Sequence, residues 1–194
     1  MQTKTSRKSL ESVVTRPVYK LGRVIFSIKN CDQKFENELQ RLLPLHIPTI
    51  EDDVQLISTG CVTDVRAVFN HILKKHLKCV WFNASCLLSS SGRKVLIAGP
   101  AHSGKSSLAM GLALGYKWKV VSEDLVLIDF DTNEILNFPL PFLVRPYTMQ
   151  LIEDAIGTKV PVPDLKEGWH PIGDMATNSN CTAEFDEVII LGNW

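Results

Sequence analysis

The sequence predicts an α/β fold whose sheet is mixed or antiparallel, and three observations predict it. Lys94-Val95-Leu96-Ile97-Ala98 is a short apolar run of buried-strand type, and Ser107 to Leu114, beyond a glycine-bearing interval, reads as a helix. Cys79 to Leu88 is a second strand, joined to the first by the four residues Ser89-Ser90-Ser91-Gly92, a turn short enough to make the two strands antiparallel neighbours. Leu125 to Phe130 and Ile135 to Phe138 flank the polar Asp131-Thr132-Asn133-Glu134, the pattern of a hairpin.

The N-terminal half predicts a small α+β lobe over residues 17–78. Residues 1–16 carry Lys4, Arg7, Lys8 and Arg16 among Ser and Thr and read as a flexible, solvated tail. Arg23 to Ile28 is a strand, and Asp32 is placed to cap a helix in which Phe35, Leu39, Leu42 and Leu43 recur on one face until Pro44 and Pro48. Val54 to Ser58 is a strand. Gly60 turns the chain into Val62 to Leu77, where Val65, Val68, Phe69, Ile72 and Leu73 form one apolar stripe. The order is β-α-β-α, without recognisable chemistry.

Residues 79–194 form the predicted core. The helix after the glycine-bearing interval is apolar on nearly all sides, so it should be buried; Gly111 within it suggests a close backbone neighbour, and Gly115 a C-terminal cap. Lys119 to Asp124 runs as a strand toward two adjacent acids. Pro139, Pro141 and Pro146 mark an extended stretch around Arg145, and Thr148 to Ile156 reads as a short helix. Residues 157–182 have no convincing period and are a candidate lid; Glu187 to Leu191 is a last strand.

Composition excludes several classes. Of 194 residues 45% are hydrophobic and 22% charged, ordinary globular usage, and 21 basic residues balance 21 acidic ones, so net charge points to neither a nucleic-acid nor a membrane partner. Five widely spaced cysteines, without a C-x-x-C pair, read as reduced thiols in a cytoplasmic protein. The polar N-terminus lacks a signal-peptide core, and no run approaches the roughly 18 apolar residues of a membrane span. His71 and His76 are five residues apart, a spacing that does not align two zinc ligands on a helix.

The chemistry is concentrated between the strand at 94–98 and the one at 119–124. Gly99-Pro100-Ala101-His102-Ser103-Gly104-Lys105-Ser106 fits G-x-x-x-x-G-K-[ST], the loop that wraps nucleotide phosphates, in the strand-loop-helix context the motif requires. Gly99, Ala101, His102, Ser103, Gly104, Lys105, Ser106 and Ser107 are the expected nucleotide-binding residues. Backbone N–H groups and the helix N-terminus face the anion, Lys105 reaches the β/γ-phosphates, and Ser106 binds Mg2+. His102 fills a variable slot and is expected to tune the rim. The acid that completes the Mg2+ site has two candidates, Glu123-Asp124 and Asp129. They lie roughly 16 Å apart if extended, too far to serve one metal. Asp129 borders a turn that explains it; the Glu123-Asp124 pair has no such explanation and is preferred. Strand neighbours face opposite ways, so one acid would serve the metal and the other an incoming hydroxyl.

Gly99 to Ser106, the apolar helix, and Val120-Val121-Ser122-Glu123-Asp124 with Leu125 to Ile128 behind them resemble the catalytic core of HPr kinase/phosphorylase and its peptide-modifying relatives in lasso-peptide clusters. Leu140 to Pro146 resembles those relatives' Pro-Arg-Pro segment, and Trp81 to Ser85 resembles their strand before the loop. The resemblance covers about residues 79–150. It implies a P-loop core of HPr-kinase type and a kinase that uses ATP and Mg2+ to phosphorylate a Ser or Thr hydroxyl on a small protein or peptide. Lys105, Glu123 and Asp124 would be catalytic, with Ser106, Glu123 and Asp124 about the metal. Glu123 stands where the family has Asp, Asn83 where relatives have His, and the segment from helix to acids is one residue longer here. The downstream glycine-rich motif of true HPr kinases is not evident, so HPr is not the expected acceptor. Asn83 and Arg145 are candidate substrate contacts; Arg145 reads equally as a surface residue. A homo-oligomer is left open. Two other classes stay open: a nucleotide-binding regulator without turnover, and a small-metabolite kinase.

Overall fold

The computed structural model describes residues 16–43, 45–49, 52–58, 64–74, 78–156, 168–177 and 180–192. The chain is mixed α/β, with few helices and mostly antiparallel or mixed sheets, and it divides between His76 and Leu77 into two compact units.

The N-terminal unit holds β1 (Tyr19–Leu21), β2 (Val24–Lys29), α1 (Gln33–Leu42), β3 (Val54–Ser58) and α2 (Val65–Leu73). β1 was not expected: three residues are too few to show a period, and the strand is made by the tight return at Gly22 (φ +57°), which sets Leu21 opposite Val24. β2 then pairs in parallel with β3. Both helices start on Asp caps; Asp32 Oδ1 accepts from the Phe35 amide at 2.7 Å and Asp64 Oδ1 from Ala67 at 2.8 Å. The predicted turn at Gly60 and the predicted ends of the second helix, 62–63 and 75–77, lie outside the described residues, as do 1–15 of the predicted tail.

The C-terminal unit is organised on β4 (Cys79–Leu88). β5 (Lys94–Ala98) runs antiparallel along one edge, with Ala84 opposite Ala98 and Leu88 opposite Lys94. The other edge is shared. β7 (Leu125–Asp129) lines residues 79–83 of β4, and β6 (Lys119–Glu123) lines 86–88, both antiparallel. The register that sets Asn83 opposite Leu125 also sets Cys86 opposite Ser122, so β7 and β6 follow β4 as one course, broken at Asp124 and shifted by a bulge between Cys86 and Leu87, beyond which Val120 lies opposite Leu87. β8 (Glu134–Ile135) completes the hairpin with β7, and β9 (Phe138–Pro139) lies parallel to β6. β10 (Phe142–Val144) follows, and Pro146 opens α4 (Pro146–Ile156) two residues before the predicted start, a position where its missing N–H costs nothing.

Within the segment expected to lack regular structure, 157–167 and 178–179 are outside the described residues, but β11 (Gly168–His170), a 3-10 turn (Gly173–Met175) and β12 (Cys181–Thr182) are built. β11 pairs with β10 and β12 with β8. Strands of two or three residues leave no periodicity to read; their partners impose them. β13 (Glu187–Ile190) ends the unit, parallel to β5.

The helix after the loop is α3 (Lys105–Tyr116). Alternation along the sheet decides what it covers. Leu87, Val95 and Ile97 face α3 and α4, packing with Ala109, Met110, Ala113 and Ile152, whereas Ala84, Cys86, Leu96, Val121 and Val126 pack on the other face. Three expectations for α3 need correction. It is buried only along Ala109, Met110 and Ala113, and it does not stop at Gly115: the chain stays helical to Tyr116, and Lys117, left-handed at φ +61°, returns its N–H to the Leu112 carbonyl. Nor does a backbone crowd Gly111, where an added Cβ would meet no atom within 4 Å. The helical glycine therefore weakens α3 without a steric return. Gly111→Ala should raise unfolding stability by about 0.5–1 kcal/mol, measured by chemical denaturation, and a loss of stability would show that the space is needed.

Candidate functional site: a glycine-bearing loop beside a buried glutamate

The loop between β5 and α3 is held by backbone geometry. Gly99 takes φ +153°, and a Cβ there would stand 2.5 Å from the Leu191 carbonyl oxygen and 2.8 Å from Ser103 Oγ, so only glycine fits. The Leu191 amide donates to the Ala98 carbonyl at 2.8 Å, which brings the chain after β13 against the mouth of the loop. His102 (φ +66°) and Gly104 (φ +93°) are both left-handed, and the open space at Gly104, where a Cβ would meet nothing within 4 Å, leaves the loop uncluttered there. Gly104 begins α3 with no side-chain cap and no acid in the first turn. The first amides of the helix and its positive end are therefore left for an anion. Lys105 lies across the loop, donating from Nζ to the carbonyls of Gly99 at 3.0 Å and Pro100 at 2.8 Å.

The acid pair divides sharply. Continued register sets Glu123 opposite Ser85 and Asp124 opposite Ala84. Glu123 is 1% exposed, and Ser85 Oγ donates to its Oε2 at 2.5 Å; Oε1 is buried with no hydrogen-bond partner. The Ser106 hydroxyl, at the first turn of α3, stands close enough to the carboxyl to favour its charged form. Burial dominates, however, and pushes Glu123 up to about 7, against the Ser106 and Ser85 hydroxyls and with a smaller push from the Asp124 charge. Asp124 is exposed and left-handed at φ +62°, a conformation that Asp tolerates better than most side chains. That kink separates β6 from β7.

The other acid candidate, Asp129, is occupied by its turn. It is buried, and Oδ1 accepts from the amides of Asp131 at 2.9 Å and Thr132 at 3.0 Å. It pairs with Cys79, five positions along β4 from the residue opposite Asp124. Asn83 is exposed, two residues from Ser85 and so on the same side of β4. Arg145 is brought to the loop: its guanidinium donates to His102 Nδ1 at 2.8 Å. Because a guanidinium only donates, that nitrogen carries no proton in this contact. Ser107 Oγ meets Thr148 Oγ1 at 3.0 Å, linking α3 to α4. Sequence reasoning missed Ser85, Thr148 and the Arg145–His102 pair; only the β4 register could have pointed to the first.

The residues fit a Mg2+ ion beside nucleotide phosphates. A hydroxyl, Ser106, stands by a buried carboxyl with an orphan oxygen, and a nearby cation would relieve the penalty on its charge. Among the described residues no group of three or more His, Cys, Asp or Glu could hold a metal, but phosphate-loop Mg2+ takes few protein ligands and completes its shell with phosphate and water. Among the described cysteines, Cys31, Cys86 and Cys181 are thiols outside any disulfide. No helix among the described residues is long and apolar enough to cross a membrane.

The raised Glu123 carboxyl sets the sign of a pH effect. Its favourable contribution to folding is complete below its ordinary value of 4.5 and is lost as pH rises through about 7. In Mg2+-free buffer the wild type should lose on the order of 3 kcal/mol relative to Glu123→Gln over that window, seen as converging or crossing denaturation midpoints. Asp129→Ala, by contrast, should lower stability by roughly 1–3 kcal/mol, measured by chemical denaturation, through its orphaned turn amides.

No protein-family model matches the chain, and no curated protein matches it.

Proposed function

We propose that the chain is an ATP-dependent kinase with a P-loop core of the HPr kinase/phosphorylase type, transferring the γ-phosphate to a Ser or Thr hydroxyl of a small protein or peptide. One observation carries the reading: Glu123 is buried beside Ser106 at the start of the phosphate-loop helix, while its neighbour Asp124 is exposed. The two acids thereby separate into the two tasks that phosphoryl transfer to a hydroxyl requires.

In this reading the loop amides from Gly99 to Ser107 cradle the phosphates, and Lys105 exchanges its loop carbonyls for the β/γ-oxygens. Ser106 and Glu123 would hold Mg2+, which would supply charge neutralisation to the phosphates. Asp124, open to solvent, accepts the proton of the acceptor hydroxyl as its oxygen bonds to phosphorus and the bond from phosphorus to the β-phosphate bridging oxygen breaks, releasing ADP. Arg145 and His102 lie at the rim, where a guanidinium can meet the acceptor or the departing phosphate. Asn83 cannot take up a proton at neutral pH, so proton transfer falls to Asp124.

Labelled ATP, Mg2+ and a set of Ser-bearing peptides, including peptides with a terminal Ser, should yield phosphopeptide. Lys105→Ala should abolish transfer, and Asp124→Asn should reduce kcat by about 10²–10⁴-fold with nucleotide affinity retained. Undiminished transfer by Lys105→Ala, or tight nucleotide binding without transfer to any hydroxyl, would overturn the kinase reading.

A further inference from the structure

Ser85 has no place in the phosphate-loop motif, yet it is 1% exposed, and its hydroxyl donates to Glu123 Oε2 at 2.5 Å. Its position follows from topology. Strand alternation puts it on the face covered by α3, together with Leu87 and Ile97, and register puts it directly across from Glu123. A hydroxyl has one proton to give. Given to Oε2, it leaves Oε1 as the carboxyl oxygen with free lone pairs, in a site whose other polar wall is Ser106.

A glutamate needs such a partner more than an aspartate would. Its carboxyl turns about one additional side-chain bond, so its direction toward an ion is set less firmly by the backbone, and freezing that bond costs rotamer entropy on each binding event. A donor standing fixed on the central strand removes that freedom before the ion arrives. We propose that Ser85 is a positioning residue for the divalent cation: by holding Glu123 Oε2 it aims Oε1 at the Mg2+ position beside Ser106. The inference rests on the phosphate-loop reading above and extends the Mg2+ site to a residue outside the loop and the acid pair.

The test is calorimetric and needs no acceptor. A non-hydrolysable ATP analogue is titrated into the full chain with Mg2+ and with EDTA, and apparent Mg2+ affinity is obtained from the dependence of binding on Mg2+ concentration. Ser85→Ala should weaken apparent Mg2+ affinity by about tenfold while Mg2+-free analogue affinity stays at the wild-type value; Ser85→Thr, which keeps the hydroxyl, should recover most of the loss. Ser85→Cys keeps nearly the same volume with a poor donor and serves if the alanine variant does not fold; it should show the same selective loss. Wild-type Mg2+ affinity in the alanine or cysteine variant, an equal loss with and without Mg2+, or failure of Ser85→Thr to recover would overturn the proposal. A wild-type chain that binds no analogue at all overturns the nucleotide reading itself, and the Ser85 assignment with it.

Discussion

The structure of the candidate site depends on one cross-strand pair, Ser85 on β4 and Glu123 at the end of β6. Burying a carboxyl is unfavourable unless something favours its charge or its proton is retained, and the shift of Glu123 toward neutrality records that conflict. The pair lies where β4 is sandwiched between the loop strand β5 and the acid-bearing course of β6 and β7. Any slip of register by one residue would turn Glu123 to the opposite face, away from α3 and Ser106. The apolar alternation of Leu87, Val95 and Ile97 against Ala84, Cys86 and Leu96 resists that slip, so ordinary core packing is what keeps the acid at the helix N-terminus.

The loop is constrained differently, by backbone dihedrals more than by side chains. Gly99 is confined by Leu191 and Ser103, and the left-handed turns at His102 and Gly104 bring the chain round to start α3 without a cap. An uncapped helix start and an orphan buried carboxyl oxygen are both unfavourable in isolation. Their adjacency gives each a common remedy in an anion with its counter-cation. Asp124 is the third departure from regular geometry at this place, a left-handed residue that breaks the β6–β7 course and turns its carboxylate outward. Local rules are broken together here, the concentration expected where geometry serves binding.

Much of the framework was legible in advance. The strand-loop-helix unit, the antiparallel β4–β5 pair and the β7–β8 hairpin followed from apolar runs and turn residues close in sequence, and Asp32 was readable as a cap because its partner is three residues away. β1, β11 and β12 were not, since strands of two or three residues carry no period and exist through their partners. The end of α3 was misjudged for a related reason: Gly115 is a favourable cap residue, but the helix extends until Lys117 makes the closing bond to Leu112.

The site divides along the same line. The sequence by itself determined its chemical inventory: a glycine-bearing loop with Lys105 and Ser106, and two adjacent acids, because each of these features is encoded within a few residues. Only the tertiary structure decided that Glu123 is the buried member and Asp124 the exposed one, that Ser85 holds the former, and that Arg145 meets His102 across 43 residues of chain. Those outcomes rest on sheet register and on burial, which sum over contacts between distant segments and are written in no local pattern.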